Sequence, residues 1–145
     1  MKSDPLITYR RKPATLDTKS LESFAEVLCD RVARRRSFHC LITGDAEMRR
    51  LNAQFRGKDH ATDVLSFPCA GPELGDIAIS LQRARAQSRE WRHRTEDEVR
   101  ILMLHGVLHL LGMDHETDSG QMRRTEARWR TKLDLPCGLI EREQT

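Results

Sequence analysis

Three of the six histidines in this 145-residue sequence lie close together, as His105-Gly106-Val107-Leu108-His109-Leu110-Leu111-Gly112-Met113-Asp114-His115. The apolar run Val99, Ile101, Leu102, Leu104, Val107 to Leu111 predicts a helix that is buried on nearly every side. On that helix His105 and His109 are four apart, so their side chains share one face about 6 Å apart along the axis. Two imidazoles so placed can ligate one ion. A third ligand cannot follow on the same face, because Gly112 is a natural helix stop that accepts positive φ without strain. The chain can then fold back and bring His115 to the same ion. Three histidines with an open fourth position describe a catalytic zinc site rather than a closed structural one. A single histidine on an apolar face is ordinarily a hydrogen-bonded core group, but three with a turn placed between them are not. Asp114 can orient a ligand from outside the ligand set or hydrogen-bond the turn, and the sequence leaves both roles open.

The spacing agrees with the zinc-protease pattern H-E-x-x-H-x-x-G-x-x-H at every histidine and at the glycine. Position 106, however, is Gly where peptide hydrolysis needs a glutamate base. A metalloprotease-like hydrolase is therefore the third reading. A second segment, Leu51-Asn52-x-x-Phe55-Arg56-Gly57-Lys58-Asp59 running to Thr62-Asp63-Val64-Leu65-Ser66-Phe67-Pro68, joins a cationic turn to a buried strand. Its charges read either as solvated loop residues or, for Arg56, as a cation held beside the metal cleft to neutralise a phosphate.

The elements that must position these residues are legible in outline. Leu6 to Tyr9 and Phe38 to Thr43 read as strands, and Thr62 to Phe67 with Asp76 to Ser80 as a strand pair. A helix from about Ser20 carries Leu21, Phe24, Val27, Leu28 and Val32 and ends in Arg34-Arg35-Arg36, cations suited to the negative end of its dipole. Asp45 is positioned to cap a helix bearing Met48, Leu51 and Phe55. Thr95-x-x-Glu98 has the form of a capping box for the central helix, and a last helix spans about Ser119 to Leu133. Strands come early and helices late, which predicts an α+β class: a small sheet covered by helices in one domain, residues 1–145.

Charged residues make up 32% of the chain and hydrophobic ones 38%, and no apolar run approaches the ~20 residues of a spanning helix, so no membrane partner is expected. Met1 to Pro5 leads into no apolar run, so a cytoplasmic location is expected. Of the 25 basic residues all but Lys2, Lys12, Lys19, Lys58 and Lys132 are arginine, a lean toward phosphate contacts. The arginine-rich run Arg83 to Arg94 reads as a solvated helix face or as a surface tracking a nucleic-acid backbone. Cys29, Cys40, Cys69 and Cys137 show no metal-finger spacing and read as free thiols.

The H-G-x-L-H-L-L-G-x-D-H string, the L-N-x-x-F-R-G-K-D-x-x-T-D-V-L-S-F-P segment and L-G-D-I-A-I-S closely resemble the bacterial YbeY family of ribosomal RNA maturation endoribonucleases. The likeness runs from about Thr43 to Glu126, with Met122 and Glu126 also in pattern. It implies a mixed four-stranded sheet and a metal in a cleft. His105, His109 and His115 fall on the family's zinc ligands, for one Zn2+ ion, although three imidazoles also suit other divalent transition metals. Arg56 falls on the arginine taken as important for RNA cleavage. The implied activity is metal-dependent, single-strand-specific RNA cleavage, in 3′ end maturation of small-subunit ribosomal RNA and in ribosome quality control. The implied partners are the ribosome or its small-subunit proteins and a ribosome-assembly GTPase. The alternative is a non-catalytic ribosome-assembly factor with a structural zinc, which needs a fourth protein ligand.

Overall fold

A computed structural model describes residues 5–11 and 13–136. Cys137 and the first four residues, on which readings above rest in part, lie outside them. Four strands form one mixed sheet: β1 (Ile7–Tyr9), β2 (Phe38–Thr43), β3 (Val64–Pro68) and β4 (Gly75–Ser80). Their order is β1-β2-β4-β3, with β1, β2 and β4 parallel and β3 antiparallel to β4. Five α-helices cover it: α1 (Thr18–Val27), α2 (Asp45–Arg56), α3 (Leu81–Glu90), α4 (Thr95–Leu110) and α5 (Gln121–Lys132). The expected α+β class, mixed sheet and central helix are all present.

Alternation along the strands divides the core into two sides. Phe38, Cys40 and Ile42 of β2, with Ile77 and Ile79 of β4, pack under α1 and α4. Ala78 and Leu65 point the other way and meet Met48 of α2. Helix α4 is the centre of the molecule: twelve of its sixteen residues are buried, so polar groups on it cannot be solvent ornaments. It lies against β3 and β4 with α1, α3 and α5 around it.

Helix α4 approaches the sheet tightly at Gly106. A Cβ there would stand 3.0–3.2 Å from three side-chain atoms of Ile77. The Gly106 carbonyl also accepts a 3.0 Å hydrogen bond from Ser66 Oγ on β3. Position 106 therefore faces the sheet and is filled by it, which gives a packing reason for glycine where a protease would carry its base.

Several local expectations change. Helix α4 is capped at Arg94 with no side-chain cap bond, so the Thr95-x-x-Glu98 box does not form. Glu98 is fully buried and turned instead to His93 Nε2 at 2.6 Å, while Thr95 Oγ1 meets Ser88 Oγ at 3.3 Å. Asp45 is the first residue of α2 rather than its cap, and its carboxylate accepts from Ser80 Oγ at 2.7 Å. Helix α1 passes into a π-helical turn, Leu28–Val32, and Arg34 and Arg35 take positive φ of 54° and 68°. Arg36 is not a dipole cation; its guanidinium donates to the Gly71, Pro72 and Glu73 carbonyls and ties down the loop before β4. Cys29, Cys40 and Cys69 are free thiols. Among the described residues no helix is long and apolar enough to cross a membrane.

Candidate metal centre and its cleft

Helix α4 ends as the sequence requires of a third ligand. Gly112 adopts φ +94°, the Gly112 N–H bonds the His109 carbonyl at 2.9 Å, and the Met113 N–H bonds the Leu108 carbonyl at 3.2 Å. This pair of bonds is a Schellman closure, which satisfies the last carbonyls and reverses the chain. Asp114 stabilises the next turn by accepting from the Glu116 N–H at 3.0 Å. His115 lies in that turn and comes back over the helix face that carries His105 and His109. One nitrogen from each of the three lies within 4.8 Å of the others. Helix and turn thus do the positioning, not the loop's own flexibility.

The imidazoles are also oriented. His105 is buried, and its Nδ1 sits 2.8 Å from Glu126 Oε2 on α5, itself 1% exposed. A carboxylate at that nitrogen takes the Nδ1–H and leaves the Nε2 lone pair facing the other rings. His109 Nε2 lies 3.1 Å from His105 Nε2. Two ring nitrogens converging head-on, with a third nearby, are a donor set for a cation; the residues present fit a metal ion. Burial, and then the charges of His105 and His115, push the pKa of His109 below its ordinary value. The neutral imidazole is the form that ligates a metal.

The triad opens into a cleft of about 730 Å3. Arg56, the last residue of α2, lines it, as do Asp114, Asp63, Ser66, Gln87, Glu90 and Trp91. Gly57, at φ +68°, stops α2 immediately after Arg56 and leaves that side chain exposed at the cleft. Arg56 makes no ion pair among the described residues, whereas Asp59 is taken up by Arg49 at 2.8 Å. Every sequence-predicted site residue therefore reaches one cavity. Asp114 has one carboxylate oxygen committed to its turn, and its charge favours protonated His109.

The arginine run behaves differently. Its contributions to the cleft wall are Gln87, Glu90 and Trp91, not arginines. Arg83 pairs with Asp45 at 3.4 Å and Arg94 with Glu96 at 3.7 Å. The residues alone give Glu126 no role. Its signal is faint but present: Met122, Glu126 and Trp129 recur at helical spacing, so a glutamate sits on the apolar stripe of α5.

Fold and site together define a class: a small α+β metallohydrolase with three histidines at one wall of a cleft and an arginine at another. Comparison with known proteins makes the class specific. The sequence model of the family described as Endoribonuclease YbeY matches residues 6–134. A protein of Solibacter usitatus named Endoribonuclease YbeY is 63% identical over 96% of this chain and 95% of its own. One of the same name from Nautilia profundicola is 45% identical over 88% and 91%. The solution structure of TM1509 from Thermotoga maritima is similar at a TM-score of 0.57 and 28% identity, over 87% of this chain and 93% of that one. The chain belongs to the Endoribonuclease YbeY family, and it is an enzyme of the hydrolase class.

Proposed function

We propose that this chain, residues 1–145 as one domain, is a zinc-dependent endoribonuclease that cleaves single-stranded RNA in ribosomal RNA processing. The observation that carries the reading is the shared cleft: His105, His109 and His115 converge at one wall and Arg56 stands at another. His105, His109 and His115 hold the ion, and Glu126 fixes the ring of His105. A zinc ion bound there supplies Lewis acidity toward a phosphoryl oxygen and makes water a better nucleophile near neutral pH. Arg56 binds the scissile phosphate and stabilises the charge that builds on it in the transition state. Asp114 holds the turn that delivers His115.

The substrate reading places the enzyme in the cytoplasm, at the 3′ end of small-subunit ribosomal RNA and in ribosome quality control. Small-subunit ribosomal proteins and a ribosome-assembly GTPase are the partners this role calls for. A purely structural zinc needs a fourth protein ligand, and among the described residues the histidine group contains three members. A protease needs the base that Gly106 cannot supply.

The test is cleavage of one labelled RNA, single-stranded and annealed to its complement, by zinc-loaded and chelated protein. Cleavage confined to the zinc-loaded enzyme and the single strand is expected. Equal cleavage after chelation, with metal removal verified, would overturn the metal-dependent reading.

A further inference from the structure

Phe55 stands 59% exposed, the one large hydrophobic side chain so exposed among the described residues. Its ring makes a T-shaped contact with Phe67 of β3, with centroids 5.3 Å apart and planes at 66°. Phe67 belongs to the α2 side of the sheet, against the cluster of Met48, Leu65 and Ala78. The alternate β3 residues Val64, Ser66 and Pro68 line the catalytic cleft on the other side. Strand β3 is an edge strand, so the two surfaces meet around its free edge. Arg56, next in sequence to Phe55, reaches into the cleft, and Lys58 is exposed without an ion pair among the described residues. An exposed aromatic ring, held against a second one and beside two available cations, has the composition of a single-strand nucleic-acid platform, in which rings stack bases and cations follow phosphates.

We propose that Phe55 is a stacking subsite for one unpaired nucleobase, adjacent to the phosphate that Arg56 binds. The proposal rests on the RNA reading above and adds the base-recognition element that reading lacks. A strand crossing the β3 edge lays a base on Phe55 while its backbone enters the cleft beside Arg56. Bases in a duplex are already stacked on their neighbours, so the subsite accepts only unpaired ones. Any base has a π face, so little sequence preference is expected from this contact.

The experiment uses the zinc-loaded full chain, mixed by stopped flow so that binding is read before cleavage, with single-stranded oligoribonucleotides carrying 2-aminopurine at successive positions. Stacking on an aromatic ring quenches this probe. The wild type and Phe55→Tyr should quench it at one position, whereas Phe55→Ala and Phe55→Leu should not. The Ala and Leu variants should bind on the order of tenfold more weakly. Leucine keeps apolar volume without a π face, so its failure separates stacking from packing, and thermal melting of each variant controls for folding. Wild-type binding without quenching at any position, or equal quenching by Phe55→Ala, would overturn the subsite while leaving the RNA reading standing. No RNA binding by the wild type would overturn both.

Discussion

The Glu126 carboxylate holds His105 Nδ1 at 2.8 Å from across the helix pair α4–α5, with both groups buried. The bond links the last described helix to the metal-facing ring of the central one. Glu126→Gln preserves the shape of the side chain but removes its charge, and its amide accepts less strongly. Metal affinity should fall by about 10–100-fold, the usual consequence of losing such a partner, with secondary structure unchanged. Competitive titration with a zinc indicator reads this directly, and unchanged affinity would remove Glu126 from the site.

Arg56 is exposed at the end of α2 and makes no side-chain hydrogen bond or ion pair among the described residues, so its loss should fall on catalysis. Arg56→Ala should lower kcat by about 10²–10³ while metal content stays stoichiometric. Arg56→Lys should recover only part of that, because an ammonium cannot reproduce the bidentate fork. Cleavage rates beside metal analysis of the same preparations decide it.

Gly106 tests packing separately from chemistry. Alanine there gains about 1 kcal/mol of helix propensity over glycine. It also drives a methyl against Ile77, which is 1% exposed and held between α4 and the sheet. Overpacking of this kind costs about 1–3 kcal/mol, so the crowding should win and the melting temperature of Gly106→Ala should drop. A rise in melting temperature would show that Ile77 yields.

Acid should weaken the junction between β1, β2 and α2. Glu47 accepts from Arg10 Nε and Nη2, from Thr43 Oγ1 at 2.7 Å and from Arg50, and these bonds pull its carboxyl down to about 2. A folded value below the unfolded 4.5 means that the stabilisation is complete above that pH and is lost as pH falls toward 2. Because Arg10 is 63% exposed, screening leaves about 1 kcal/mol of it. Urea melts of wild type and Glu47→Gln should differ by that amount at pH 6 and converge near pH 2.

The triad was legible because helical geometry turns sequence spacing into distance. His105 and His109 share a face by period alone, and a glycine three residues later dictates where the chain reverses. The sheet order was not legible from the residues, since pairing β4 between β2 and β3 depends on which faces α2 and α4 bury. The capping box at Thr95 failed because His93 competes for Glu98, a contact that exists only once the chain has turned at Arg92, where φ is +56°. Packing also decides between the two readings of the arginine run at the cleft: α3 is rich in arginine, but it gives the cleft Gln87 and Glu90, with Trp91 just beyond its end. Composition gives the charge of a helix; only packing decides which side meets the substrate.

The most direct test of the metal centre measures bound zinc and RNA cleavage together, on wild type and His109→Ala purified identically. His109 presents its Nε2 to the cluster and is half-buried at the cleft, so the variant should stay folded by circular dichroism. One zinc per wild-type chain with cleavage of a labelled single strand, and neither in the variant, is the predicted result. Equal cleavage by a folded variant that has lost its zinc would contradict the account.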